Sequence, residues 1–341
     1  MLKEKFFLSI CVISYNRPEG LKRLLESIDV KKYKGELQIV VCEDKAPRRL
    51  EVRKVAEDFE SSGAYPIKYV ENENNLGFSK NWREAAHQAE GKFLLYMGDD
   101  DMFVKDALDQ YIEWLHKHED LGYVLRTYQT LQADGSAITN RYYAKDKFYE
   151  AGEDAYNDFF LKSNFMSGYT IRRDYTYDFE DDAIDHTLYY QMYLQGEVCL
   201  RYPSAYCTIP ITIYVGDGIS GFGVNECEKD LYTPGIAPAM DFKNVLITFE
   251  VSELIDKKNG LNSTPKLKAE WAKYSSYPEM LRFRKIGISE FKQCKNWLVE
   301  NGMNHSHYFN IYYYALLLLG AKNCQRIVHF IKKVHGGRPK L

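Results

Sequence analysis

The sequence predicts an α/β fold: a mostly parallel central sheet with helices on both faces, followed by a mainly helical C-terminal region. Three observations carry this. Apolar runs alternate with helical spacing through the first hundred residues, the run Phe93 to Met97 is continuous, and the charge balance changes sign after residue 240. Alternation of strand and helix argues for parallel strands joined by crossover helices, and a continuous apolar run suits a strand buried on both faces.

Phe6 to Ile13 is the first apolar run. Asn16-Arg17-Pro18 then turns the chain, and Pro18 suits the start of a helix carrying Leu21, Leu24, Leu25 and Ile28 on one face. Leu37 to Cys42 is the second strand, followed by helical spacing over Leu50 to Phe59. Ile67 to Val70 is the third strand, Ser79 to Ala89 a helix, and Phe93 to Met97 the fourth strand, with Gly98 at its exit. Tyr123 to Leu131 adds a strand, and the polar stretch Asp134 to Tyr149 predicts a loop or hairpin. We expect one α/β domain over residues 1–240, in halves 1–101 and 102–240, and a basic helical subdomain over 241–341.

With 341 residues, 45% hydrophobic and 27% charged, the chain can bury one large core or two smaller ones. Seven cysteines, odd in number and scattered, predict buried thiols in a reducing compartment. The start, MLKEKFFLSICVISYN, lacks a secretory apolar region and reads as a first strand, so a cytoplasmic location is expected. Residues 1–240 hold 28 Lys and Arg against 40 Asp and Glu, a balance of −12; residues 241–341 hold 17 against 8, a balance of +9. An acidic main domain argues against a nucleic-acid binder, which needs a basic stripe. Beyond Glu300 there is no acid, and Lys322, Arg326, Lys332, Lys333, Arg338 and Lys340 follow. The apolar tract Tyr308 to Leu319 is too short to span a bilayer. After Gly320, Ile327, Phe330, Ile331 and Val334 share one helical face, which predicts either contact with an anionic membrane surface or a helix docked on its own domain with a solvated basic face.

The strand KFLLYMGDDD ends in three adjacent carboxylates, Asp99, Asp100 and Asp101. In open α/β sheets ligands bind beyond the carboxyl ends of strands, and adjacent acids there repel one another unless a cation intervenes. A hard divalent ion held by one or two carboxylates and substrate phosphates is the chemical reading; a solvated acidic turn is the bland one. Ser14, Tyr15, Asn16 and Arg17 close the first strand, and Glu43 and Asp44 the second. Arg17 suits a phosphate or base, and the acids suit a ribose or base. Asn16 as a helix cap, and Glu43 or Asp44 as turn residues, are the structural alternatives. No G-x-G-x-x-G or P-loop pattern follows the first strand. His116 and His118 form H-x-H in a helix, where they point apart, so they are not a metal pair.

Over roughly the first 215 residues these motifs, in this order, resemble family 2 glycosyltransferases of the GT-A fold: SICVISYNRPEGLKRLLESI, QIVVCED, NENNLGFSKNWREAAHQAEGKFLLYMGDDD, and an acidic helix near Asp185. Members of the bacterial surface-polysaccharide branch, abequosyltransferase-like and rhamnosyltransferase-like, look most similar. The resemblance implies a nucleotide-diphospho-sugar donor, a divalent cation (Mn²⁺ or Mg²⁺), and a lipid-linked oligosaccharide or polysaccharide acceptor. It places Ser14, Tyr15, Asn16, Arg17, Glu43 and Asp44 at the donor, Glu43 standing where the family more often has Asp. Asn75-Leu76-Gly77 through Asn81 looks like the family's N-x-G motif near the nucleotide-sugar. The acidic motif fits two registers: Asp99 at the ribose with Asp100 on the metal, or Asp99 and Asp101 as a D-x-D pair.

Asp185, ahead of a helical pattern, matches the position of the family's general base, with Asp181 and Asp182 as neighbours; an N-cap is the structural alternative. Ser167-Gly168-Tyr169 resembles the acceptor-side strand, and Gly216-Asp217-Gly218 a loop over the site. The expected chemistry is a single displacement with inversion. Two rivals remain: a non-catalytic nucleotide-sugar binding module, and a sugar nucleotidyltransferase, which would carry a glycine-rich loop where Ser14 to Pro18 has none.

Overall fold

The computed structural model describes residues 4–216, 227–228 and 238–335. They belong to two compact units, Met1–Thr233 and Pro234–Leu341.

In the first unit the order is β1 (Phe6–Ser14), α1 (Pro18–Glu26), β2 (Leu37–Glu43), α2 (Arg49–Ser61), β3 (Ile67–Glu71), α3 (Phe78–Gln88) and β4 (Gly91–Gly98). There follow β5 (Met102–Phe103), α4 (Ala107–His116), β6 (Tyr123–Leu131), β7 (Ala137–Asn140), β8 (Lys147–Tyr149), α5 (Glu153–Phe159), β9 (Tyr169–Arg172), α6 (Tyr190–Arg201) and β10 (Ser204–Tyr214). The strands form one sheet in the order β3-β2-β1-β4-β9-β6-β10-β5, with β7 on β6 and β8 on β10. β1 pairs in parallel with β2 and β4, β2 with β3, and β6 with β10. The short β9 runs antiparallel between β4 and β6, so the six long strands share one direction. The stretch expected as loop or hairpin, Asp134 to Tyr149, contains β7 and β8.

Alternation along β1 shows why the helices sit on both faces. Leu8, Ile10 and Val12 join Leu21, Leu24 and Leu25 of α1 and Leu108, Tyr111 and Ile112 of α4 in one buried cluster. Cys11 points the other way, where its thiol meets the Ala85 carbonyl of α3. On that side Trp82 of α3 stacks on Tyr96 at 3.7 Å and meets the edge of Tyr169 at 5.1 Å. Each fully buried aromatic contributes about 1.5–3 kcal/mol, so this stack fixes α3 firmly against β4 and β9. All seven cysteines are unpaired, and all but Cys227 are buried.

The second unit is helical: α7 (Pro238–Asn259), α8 (Thr264–Ile286), α9 (Ile288–Glu300) and α10 (His307–His335). Gly320, with φ 73° and ψ 168°, breaks α10 in two, as the sequence punctuation at that glycine implies. Leu267, Met280, Phe283, Phe291, Leu298, Phe309 and Leu316 are buried. By contrast Tyr308, Ile311, Tyr314, Leu318 and Leu319 are exposed, Leu318 to 79%. No helix among the described residues is long and apolar enough to cross a membrane.

Candidate active site

Ile13 of β1 stands opposite Gly98 of β4 in the parallel register, so Ser14 to Arg17 and Asp99 to Asp101 leave the same edge of the sheet. Ser14 Oγ donates to Asp99 Oδ2 at 3.0 Å, the Tyr15 amide donates to the same oxygen at 2.9 Å, and Arg17 Nη1 donates to Oδ1 at 3.1 Å. Asp99 is only 2% exposed. Burial pushes its carboxyl up to about 7, offset in part by Arg17 and reinforced by Asp100. Asp101 is enclosed in the same way: the Val215 amide donates to Oδ1 at 3.1 Å and Ser167 Oγ bonds Oδ2. Burial, with Asp100 adding, pushes it up to about 6.

Asp100 differs from both. Its side chain is 28% exposed and pairs with Arg17 Nη1 at 2.6 Å, while Arg23 of α1 binds its backbone carbonyl. All three carboxylates of the triad thus meet protein donors, and Asp100, held by Arg17, is the most exposed of them. Helix α1 crosses so close that a Cβ on Gly20 would lie 2.5 Å from the Asp99 carbonyl oxygen. Only a glycine permits that approach without a backbone shift.

Next to this lies a second cluster, at the ends of β2 and β3. The Asp44 amide donates to the Ser14 carbonyl at 3.1 Å, which joins the two clusters. Asp44 Oδ1 accepts from Asn72 Nδ2 and the Leu76 amide, at 2.9 and 2.7 Å; Oδ2 accepts from Asn75 Nδ2 and the Gly77 amide, at 3.1 and 2.8 Å. Burial raises this carboxyl, and those bonds oppose the rise. Asn81 Oδ1 accepts from Asn72 Nδ2 at 2.9 Å, and Asn81 Nδ2 donates to the Cys42 carbonyl at 3.2 Å. Asp44, Asn75, Gly77 and Asn81 thus come together as one hydrogen-bonded turn, with Gly77 at φ 79°.

Glu43 and Asn16 are spent differently. Both Glu43 oxygens turn back on the chain, accepting from the Lys45 and Ala46 amides and from Arg49. Asn16, at φ 63°, accepts from the Arg48 amide at 3.1 Å and caps no helix.

Asp185 does not open an α-helix as expected. It lies inside a 3₁₀ helix, Asp182–Thr187, because Leu188 at φ 59° ends that turn before α6 begins. Arg83 of α3 binds it bidentately, Nη1 to Oδ1 at 2.8 Å and Nη2 to Oδ2 at 3.0 Å, and also reaches Asp182 at 2.8 Å. The Arg83 guanidinium lies 5.3 Å from the centre of the Tyr190 ring. Asp181 is the N-cap, accepting from the Ala183 amide. His186 is exposed.

Arg83 and Glu228 have no distinct signal in the sequence, and Ser167 is marked there only as part of the acceptor-side strand. Arg83 lies in an ordinary amphipathic helix, and Ser167 shows its tie to Asp101 only when β9 is placed beside β4. Glu228 is buried and accepts from the Phe78 amide at the start of α3, a favourable place for an acid. Cys227 Sγ beside it donates to Asn75 Oδ1 at 2.8 Å. Asp217 and Gly218 of the expected loop lie outside the described residues. His116 pairs with Glu36 and Glu119, and His118 packs on Trp114 and Phe148, on separate surroundings. No group of three or more His, Cys, Asp or Glu converges as a metal cage among the described residues.

Residues 9–175 match the model of "Glycosyl transferase family 2". An uncharacterized glycosyltransferase of Haemophilus influenzae is 26% identical over 117 residues, 34% of this chain and 37% of that protein. Abequosyltransferase RfbV of Salmonella typhimurium is 29% identical over 127 residues, 37% of this chain and 34% of that protein. The matched stretch spans about a third of the length of these relatives. Among solved structures, S. aureus TarS 1–349 in complex with UDP-GlcNAc superposes with a TM-score of 0.58 at 17% identity, over 86% of this chain and 80% of that one. The same fragment with UDP gives 0.56 at 15% identity, over 98% and 93%. At such identities the likeness is one of fold, the GT-A fold. The N-terminal unit of this chain thus carries a glycosyl transferase family 2 domain.

Proposed function

We propose that this protein is an inverting glycosyltransferase that moves a sugar from a nucleotide-diphospho-sugar to a hydroxyl of a lipid-linked or polysaccharide acceptor in bacterial surface-glycan synthesis. The observation that carries the reading is the convergence of Ser14, Tyr15 and Arg17 on Asp99, with the more exposed carboxylate of Asp100 beside them. TarS, a structural neighbour with UDP-GlcNAc, supports a donor of this class.

A divalent cation fits these residues. Asp99, Asp100 and Asp101 stand side by side at one strand end; burial is the chief cause that raises the Asp99 and Asp101 carboxyls, to about 7 and 6, the Asp100 charge adds to both, and Arg17 answers part of the negative charge. Asp100 would hold the ion, with Asp101 beside it; one or two carboxylates plus substrate phosphates is the usual set for Mg²⁺. When bound, the ion supplies charge stabilisation for the leaving diphosphate. Asp99 and the Ser14-Tyr15 turn form the donor-side wall, and Asp44 holds the Asn75-Leu76-Gly77 turn that adjoins it.

Asp185 is the candidate base for the acceptor proton. Of the three neighbouring acids its side chain is the one enclosed yet partly open, at 21%, whereas Asp182 is at 86% and Asp181 caps its own turn. Each Asp185 oxygen accepts one bond from Arg83, which holds the carboxylate in place and leaves a further lone pair on each oxygen for a proton. That engagement also favours a second reading, a non-catalytic nucleotide-sugar binding module in which the pair is purely structural. Asp185→Asn separates them: loss of transfer with donor binding intact supports the enzyme, and an unchanged biological role supports the module.

The second unit carries the acceptor-side proposal. Ile327 and Phe330 are exposed on the same helix segment as Lys322 and Arg326, and Lys322, Gln325, Arg326, His329 and Phe330 line a shallow recess. Apolar and basic side chains together suit peripheral contact with an anionic membrane. The side chains of Ile331, Lys332, Lys333 and Val334, and all of Arg338 and Lys340, lie outside the described residues.

A further inference from the structure

We propose that Arg17 is a built-in counter-ion of the acidic triad, which competes with a divalent cation for Asp100 and passes to the donor diphosphate when cation and donor bind together. The inference rests on the metal and donor reading above and specifies how that site is regulated. One nitrogen, Nη1, lies 2.6 Å from Asp100 Oδ2 and 3.1 Å from Asp99 Oδ1. A single positive group thus answers two adjacent carboxylates. Arg17 is only 13% exposed, so this is an enclosed contact in which screening by water is weak.

Its placement is set by the backbone. Asn16 sits at φ 63° and is pinned by the Arg48 amide, and Pro18 restricts the residue before it, so Arg17 leaves β1 in a defined direction. Helix α1 cannot retreat without carrying Gly20 away from the Asp99 backbone.

A cation on Asp100 would meet the guanidinium on the same carboxylate, and like charges repel at that range. Arginine cannot relieve this by losing its proton, so it must move. Its planar fork matches phosphate oxygens bidentately, which gives it a new partner only when the donor is present. The cation alone therefore meets an occupied carboxylate. Cation and diphosphate together bind with positive coupling, and by reciprocity each raises the other's affinity by the same factor.

The test is calorimetric titration of the full chain with Mn²⁺, alone and with UDP or GDP, for wild type, Arg17→Ala and Arg17→Gln. Both variants should bind Mn²⁺ alone at least about fivefold tighter than wild type, about 1 kcal/mol, and the coupling to nucleoside diphosphate should shrink. Equal or weaker Mn²⁺ binding by both variants overturns the proposal while leaving the metal site standing. If wild type and variants bind no Mn²⁺ even with nucleoside diphosphate, the metal reading fails and the proposal with it. Should neither variant show a cooperative thermal transition, Arg17→Lys carries the test: it keeps the charge without the fork, so coupling below wild type supports the proposal and unchanged coupling overturns it.

Discussion

Ser14 Oγ lies 3.0 Å from Asp99 Oδ2, so the last residue of β1 is tied directly to the first carboxylate after β4. The bond crosses 85 residues of sequence and needs only one thing, parallel pairing of β1 with β4 in the observed register. A one-residue slip would turn Ser14 to the other face of the sheet. Ser14→Ala should weaken nucleotide-sugar binding several-fold and cost about 1 kcal/mol of stability, the usual net worth of one hydrogen bond. Donor titration and chemical denaturation read the two effects; unchanged values in both would remove Ser14 from the site.

Gly20→Ala should destabilise the protein by about 1–3 kcal/mol, the usual cost of forcing atoms into a packed contact. In an open helix the same change would stabilise by about 1 kcal/mol. The sign is therefore diagnostic, because the added Cβ would lie 2.5 Å from a backbone oxygen that cannot swing aside. A rise in the denaturation midpoint would show that α1 moves freely.

Asp99 and Asp101 make a pH prediction. Their carboxyls are pushed up to about 7 and 6 in the fold, above the ordinary value near 3.9 of an unfolded aspartate. Between about pH 4 and 7 the folded state holds more protons than the unfolded one, so this contribution to stability falls as pH rises. In EDTA, the stability of wild type relative to Asp99→Asn should decline from pH 5 to pH 8, by on the order of 2 kcal/mol. Saturating Mn²⁺ should cancel most of the decline. A difference that is flat with pH would contradict the burial of Asp99.

Asp185→Asn should lower transfer by about 10² to 10⁴, the usual contribution of a positioned base, with donor affinity unchanged. Arg83→Gln should lower transfer as well and reduce stability, since it leaves Asp185 and Asp182 without their shared partner. Steady-state assays with separate donor titration distinguish these from a general loss of folding.

Truncation after Glu300 removes α10, with its exposed Tyr308, Ile311, Leu318 and Phe330 and the basic residues beyond them. Sedimentation with vesicles containing anionic lipid should show binding by the full chain and none by the truncated protein. Equal binding by both would move the membrane contact elsewhere or remove it.

How much of this was legible in the sequence follows from the range of each interaction. Strands β1, β2, β3, β4 and β6 and the helices between them announce themselves locally, through apolar runs and the spacing of Leu21, Leu24 and Leu25. The acidic triad is legible for the same reason: it ends one strand. What the three acids each do is not, because Asp99, Asp100 and Asp101 are told apart by partners such as Ser14, Arg17, Ser167 and Val215, which arrive from elsewhere in the chain. Glu43 reads as a free strand-end acid until the turn folds its carboxylate onto Lys45, Ala46 and Arg49. Asp185 reads as a helix start because nothing local reveals that Leu188 will adopt a positive φ. Its partner Arg83 lies 102 residues away.

The central claim is that the ends of β1 and β4 form a metal-assisted nucleotide-sugar site. The most direct measurement is a panel of UDP-, GDP-, CDP- and dTDP-sugars, with Mn²⁺ or Mg²⁺, scored by thermal shift and donor hydrolysis for wild type and Asp100→Ala. The account predicts stabilisation and turnover with one nucleotide class, dependent on the cation and lost in Asp100→Ala. Cation-independent binding that survives Asp100→Ala, or no response by a folded protein to any donor, would contradict it.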